Sequence, residues 1–185
     1  MYEAYGMTGR GELNMFDPTV FDNLKVAMEN AVYDLDNLDS RIEITQRIDR
    51  LEMSVMSREF AIQFRLTERP GVTAEIRLNA DLNNLAAEIL EIEDQIPGCV
   101  LLLSFYMEVR EIETQCSQIE DILTQIWKPD LRPLQTLSFV YGEKAATYQN
   151  KIELQFSRQI NEDQMEDIPE LLEHILLTLT ELHKV

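Results

Sequence analysis

The chain has 185 residues, 34 Asp and Glu against 16 Lys and Arg, a formal charge of −18 and 45% apolar residues. That apolar content is enough for a real core and excludes disorder of the whole chain, while the acidity excludes the basic stripe that binding of nucleic acid through its phosphates requires. The excess is even, 19 acids against nine bases before residue 96 and 15 against seven after it, so no basic half exists to meet nucleic acid or an anionic membrane.

Residues 1–14 hold three of the six glycines and show no hydrophobic period, which predicts a flexible N-terminal tail ahead of a single α+β domain over 15–185. The tail has neither a basic patch nor an apolar run, so no secretory signal is expected and the chain reads as cytoplasmic. Asp17-Pro18 is a helix start, because Asp accepts from unpaired backbone amides and Pro loses no needed donor there. Phe21, Leu24, Met28, Ala31, Leu35 and Leu38 then step by three and four, predicting a helix to about Asn37. Residues 41–48 read as a strand from the alternation of Ile42 and Ile44, although Ile44, Ile48, Leu51 and Val55 also fit a helix.

The next stretch is clearer. Phe60, Ile62, Phe64 and Leu66 alternate with polar or small residues, Arg69-Pro70-Gly71 signals a turn, and Ala74, Ile76 and Leu78 alternate again. This predicts a hairpin with one buried face, Phe64 opposite Ile76 and Arg65 opposite Glu75. A second helix is expected from Asp81 to about Asp94, closed by Pro97-Gly98. Beyond it, positions 102, 105, 109, 112, 116, 119, 123 and 126 keep a three-four step, which with the Leu-rich run at Val100–Met107 predicts one long helix at 99–127. A central strand before a shorter helix is the alternative. Leu137, Phe139 and Tyr141, then Ile152, Leu154 and Phe156, predict a second hairpin around a loop at Glu143–Thr147. Asp167-Ile168-Pro169-Glu170 reads as the capping box of a last helix with Leu171, Leu172, Ile175, Leu176, Leu179 and Leu182 inward.

Strands with one clean apolar face call for helices on that face alone. The expected architecture is therefore an α+β two-layer sandwich, a mainly antiparallel sheet with helices packed on one side and the other side open. On the open side the alternation places Gln63, Arg65, Glu75, Arg77, Lys151 and Glu153, the residues expected to contact a partner. Residues 41–77 carry seven Arg against six acids, so this region is nearly neutral and the helices hold the negative charge.

The sequence points to no cofactor and no metal. His174 and His183 are nine apart, too far for two ligands on one helical face, and neither has a Glu three residues before it as a di-iron bundle requires. Asp34, Asp36 and Asp39 lack the ligand pattern and glycine of a calcium loop, and no phosphate-binding loop is present. Cys116 falls on an apolar stripe, where packing explains it better than catalysis, and two cysteines cannot build a disulfide framework. No catalytic residue is indicated.

What remains is a non-enzymatic acidic protein-interaction module that binds a polypeptide partner through its sheet face or helices, with a homodimer compatible with its apolar helices. In element order, α-β-β-β-α followed by β-β-α, and in acidity, the chain resembles the specialised secretion chaperones that bind effector proteins, although a long helix at 99–127 departs from their plan. The alternatives are an acidic decoy that mimics nucleic acid, or an enzyme with an unrecognised site on the open face.

Overall fold

The computed structural model describes residues 19–90, 96–128, 132–142 and 147–185. Asp17-Pro18, the tail at 1–14, residues 91–94 of the second helix and most of the loop at 143–147 lie outside them. The described residues form a six-stranded antiparallel sheet with four helices packed against it, the α+β architecture expected.

Helix α1 (Val20–Asn37) starts at Thr19, whose side chain accepts from the amide of Asp22 at 3.2 Å. Its inward stripe is Phe21, Leu24, Met28, Val32 and Leu35. Val32 replaces the expected Ala31 at full burial, and Leu38, placed inward by spacing, is 76% exposed where the helix has already ended. Strands β1 (Ile42–Glu52), β2 (Ser57–Leu66) and β3 (Arg69–Ala80) form a meander. The strand expected at 41–48 is thus present, but it starts at Ile42 and runs on to Glu52.

The hairpin register departs from expectation by two residues. Phe64 faces Ala74, Ile62 faces Ile76, Gln63 faces Glu75 and Arg65 faces Thr73. The reason is the turn: it is made at Thr67-Glu68, with a bulge at Arg65/Leu66, and Arg69-Pro70-Gly71 already belongs to β3. Since the shift is even, each residue keeps its face and only its neighbour changes.

After α2 (Leu82–Ile89), capped by Asp81, the expected long helix is replaced by strand β4 (Val100–Val109) and helix α3 (Ile112–Trp127). Leu101, Leu103, Phe105, Met107 and Val109 point to the helices and are buried. Leu102 and Tyr106 add apolar surface on the other side, so the run looks apolar all round, as a central strand does. Strands β5 (Leu134–Ser138) and β6 (Tyr148–Gln155) complete a sheet ordered β1-β2-β3-β4-β6-β5. β5 begins three residues before the expected alternation, and Phe139 and Tyr141 lie beyond it.

A 3₁₀ turn at Glu162–Asp167 precedes helix α4 (Ile168–Leu182), and the capping box sits there, between Asn161 and Gln164. Asp167 makes no side-chain cap, contrary to the expected box at 167–170. Helix α4 lies over β2 and β3 between α1 and α3. It buries Leu172, Ile175, Leu176, Leu179 and Leu182 against Phe60, Phe64 and Phe105, none of which retains more than a trace of exposure. Each such phenyl ring contributes about 2–3 kcal/mol by leaving water. Helix α1 is tied to the sheet by ions as well: Arg58 binds both oxygens of Asp22 at 2.8 and 2.9 Å and covers the Phe21 ring, Lys25 meets Asp49 at 3.0 Å, and Arg47 meets Glu29.

Candidate functional site: the uncovered sheet face

With α1, α3 and α4 on one side of the sheet, every second residue of the strands looks the other way. Adjacent strands lie about 4.8 Å apart and each residue advances about 3.3 Å, so six strands of up to about ten residues span roughly 24 by 33 Å, or about 800 Å². That matches the area one protein contributes to a standard interface.

All six residues named from sequence lie on this face, and the register sets them in rows. One row runs Gln46, Gln63, Glu75, Ser104, Glu153 and Leu134; the next runs Glu43, Arg65, Thr73, Tyr106, Lys151 and Thr136. Arg77 stands between Ala61 and Leu102.

The charges on the face are held by one another. Glu75 is only 2% exposed, although no helix among the described residues covers it. Gln63 Nε2 donates to its Oε2 at 2.6 Å, and Arg77 donates to its Oε1 from Nε at 3.1 Å and Nη2 at 2.8 Å. Arg77 also reaches Glu59 at 3.6 Å, and Glu59 takes a bond from Arg50 at 3.1 Å. Burial works against the Arg77 cation, but Glu75 and Glu59 outweigh it and hold its pKa above the ordinary value. At the periphery Arg65 pairs with Glu43 at 2.8 Å, and Lys151 with Glu153 at 2.7 Å.

Tyr106 stands in the middle of this surface. Burial raises its phenol pKa, and the Glu75 carboxylate adds to the effect, so it presents a neutral hydroxyl. Sequence reasoning missed Tyr106, Ser104, Leu102 and Val100 because it read their segment as helix. The signal was present: positions 101, 103, 105, 107 and 109 are all apolar, with Ser104 and Glu108 between them.

The other reactive groups are elsewhere. His174 Nδ1 lies 2.8 Å from the Glu170 carbonyl oxygen, and His183 Nε2 bonds the Arg69 carbonyl. Cys99 is buried beside the bridge to Ile160, and Cys116 sits on α3 against β5. Among the described residues no group of three His, Cys, Asp or Glu side chains could hold a metal ion, and no helix is long and apolar enough to cross a membrane. What the face offers is a fixed array of hydrogen-bonding groups around partly exposed apolar side chains at Ile48, Leu102 and Tyr106, a surface suited to recognition. Comparisons with protein-family models, curated proteins and solved structures found no match to this chain.

Proposed function

We propose that the protein is a non-enzymatic, acidic protein-interaction module that binds a polypeptide partner across the uncovered face of its sheet. The observation that carries the reading is the size and order of that face: about 800 Å² with its charged side chains already held in hydrogen-bonded pairs. A surface whose side chains are fixed before contact loses less rotamer entropy on binding than one of free lysines and glutamates. The partner is held rather than processed, a chaperone-like role, and with Cys99 and Cys116 both free the reducing cytoplasm is the compartment that fits.

The test is capture of partners from native lysate by tagged wild type and by Arg65→Glu with Lys151→Glu, at low and high salt. Both side chains are peripheral and about a third exposed, so reversing them leaves the core intact. A stoichiometric partner that survives high salt and is lost from the variant supports the reading. A partner retained equally by the variant, or lost from wild type with salt alone, overturns it; the second outcome points to the helix acids.

A further inference from the structure

The two edges of the sheet are built differently. β1 carries Glu43, Arg47, Asp49, Arg50 and Glu52 and is interrupted by a bulge at Ile44/Gln46, the usual guards against another strand. The opposite edge, β5, has none of these. From Pro133 to Gly142 the chain contains no charged residue, in a protein of net charge −18. Four large apolar side chains in this stretch are exposed: Leu134 53%, Phe139 67%, Val140 64% and Tyr141 96%. Among the described residues no strand pairs with the outer side of β5, so alternate backbone amides and carbonyls there face outward.

Next to this edge, on the helix side, runs a groove of about 740 Å³ between α3 and β5, lined among others by Ile112, Cys116, Pro133, Gln135 and Leu137. Its floor is polar at one point: Gln135 Nε2 donates to the Cys116 carbonyl at 2.8 Å, and Asn150 Nδ2 donates to Gln135 Oε1 at 2.9 Å.

We propose that β5 is a self-association edge, at which a second copy of this chain adds its own β5 antiparallel across a two-fold axis and joins the two sheets into one of twelve strands. Charge selects this occupant. Two copies that each carry −18 repel over most of their surfaces, and this edge is an uncharged strand that meets an identical uncharged strand without that penalty. Parity then restricts the register to two-folds centred on a residue, and we take the one centred on Leu137. Paired residues must share a face, and Phe139, which packs on Tyr148 with centroids 6.0 Å apart, lies on the helix side with Gln135 and Leu137. Centring the two-fold on Leu137 sets Gln135 of each copy opposite the position of the other's Phe139, one residue past the end of β5, so that the Phe139 ring comes beside the other copy's groove. On the uncovered side Thr136 meets Ser138. The charged β1 edges are left outside, so the assembly closes at two copies. This inference is independent of which partner, if any, the sheet face takes.

The test is sedimentation velocity of the full chain over a wide concentration range, with hydrogen exchange of the 134–138 amides. Wild type is expected to sediment at twice 21.5 kDa with those amides protected. Thr136→Lys with Ser138→Lys sets like charges directly opposite each other at exposed positions and should give a monomer with an unchanged circular-dichroism spectrum and faster exchange at 134–138. Thr136→Glu with Ser138→Glu should do the same, and mixing the two variants should restore a one-to-one dimer. A monomeric wild type overturns the proposal, including one in which the outward-facing amides among 134–138, those not bonded to β6, are protected, which would place another segment of the chain on the edge. A dimer that survives the Lys variant overturns it as well, and failure of the mixture to reassociate overturns the register.

Discussion

The Arg77 guanidinium lies 2.8 Å from a Glu75 carboxylate that is all but sealed from water, on the side of the sheet opposite α1, α3 and α4. The carboxylate lies among Gln63, Arg77 and Ser104, while the Arg77 side chain keeps 29% of its exposure. Taking away the cation alone would strand a buried anion, which costs about 3–5 kcal/mol. Arg77→Met should therefore lower the midpoint of urea unfolding by an amount equivalent to about 3 kcal/mol, with the slope unchanged. Adding Glu75→Leu should recover most of the loss, because it removes the stranded charge. A loss that the double variant does not recover would mean that Arg77 acts through packing instead.

Acid should loosen the attachment of α1. The bidentate bond from Arg58 holds the Asp22 carboxyl below its ordinary pKa, against the opposing effect of burial, with Thr19 assisting. A carboxyl depressed in the folded state contributes stability that is fully present above the unfolded value, about 3.9, and is lost as pH falls through the folded value. Asp22→Asn should lower stability at neutral pH and make little difference below the folded-state value. Thermal unfolding of both proteins from pH 7 downward checks this: the two curves should converge on the acid side.

The two thiols should differ in reactivity. Burial, reinforced by Glu88, pushes the Cys99 thiol up to about 12, and Cys116, less buried, is raised as well. Thiolate is the reactive form. Iodoacetamide at neutral pH should therefore label Cys116 slowly and Cys99 only after unfolding, as read by peptide mass spectrometry. Early modification of Cys99 would show that the β4 end near Ile160 opens on its own.

Lys128 ends α3 in the left-handed region, with φ 43° and ψ 52°. A side chain costs about 1–2 kcal/mol there, and glycine returns about 0.5–1 kcal/mol through the freedom it adds to the unfolded chain. Lys128→Gly should thus stabilise by about 0.5–1 kcal/mol, which at this size raises Tm by roughly 1–4 °C. Calorimetry reads it directly, and a fall in Tm would mean that the lysine stem contributes packing at the helix end.

Much of this architecture was legible from period alone, and the failures have identifiable causes. The alternation in Phe60–Leu66 and Ala74–Leu78 is strict, so face assignments held even where the register did not. Arg65 and Glu75 were placed on the correct side but given to each other, whereas Arg65 pairs with Glu43 and Glu75 with Gln63 and Arg77. Register was set by a two-residue turn at Thr67-Glu68 that carries neither Pro nor Gly, and so has no signature to read. Val100–Val109 was mistaken for helix because a central strand next to long polar stems is apolar on both sides; the three-four step continuing into α3 completed the illusion. That the helix layer leaves one face bare was readable in advance, but the shielding of Glu75 was not. It depends on Arg77, Gln63 and Ser104, which converge only once three strands are paired.

The placement of α4 bears on how the chain is made. The sheet is laid down nearly in chain order, with neighbours in sequence pairing everywhere except where β6 comes between β4 and β5. Local pairing of this kind forms early. Yet the helix that closes over Phe60, Phe64 and Phe105 occupies residues 168–182 and leaves the ribosome after every strand of the sheet. A nascent chain can therefore assemble most of its strands while their apolar side is still open to water. The interval before that helix emerges is the time of greatest exposure to misassembly, and a chain stalled ahead of residue 168 would leave that side unclosed.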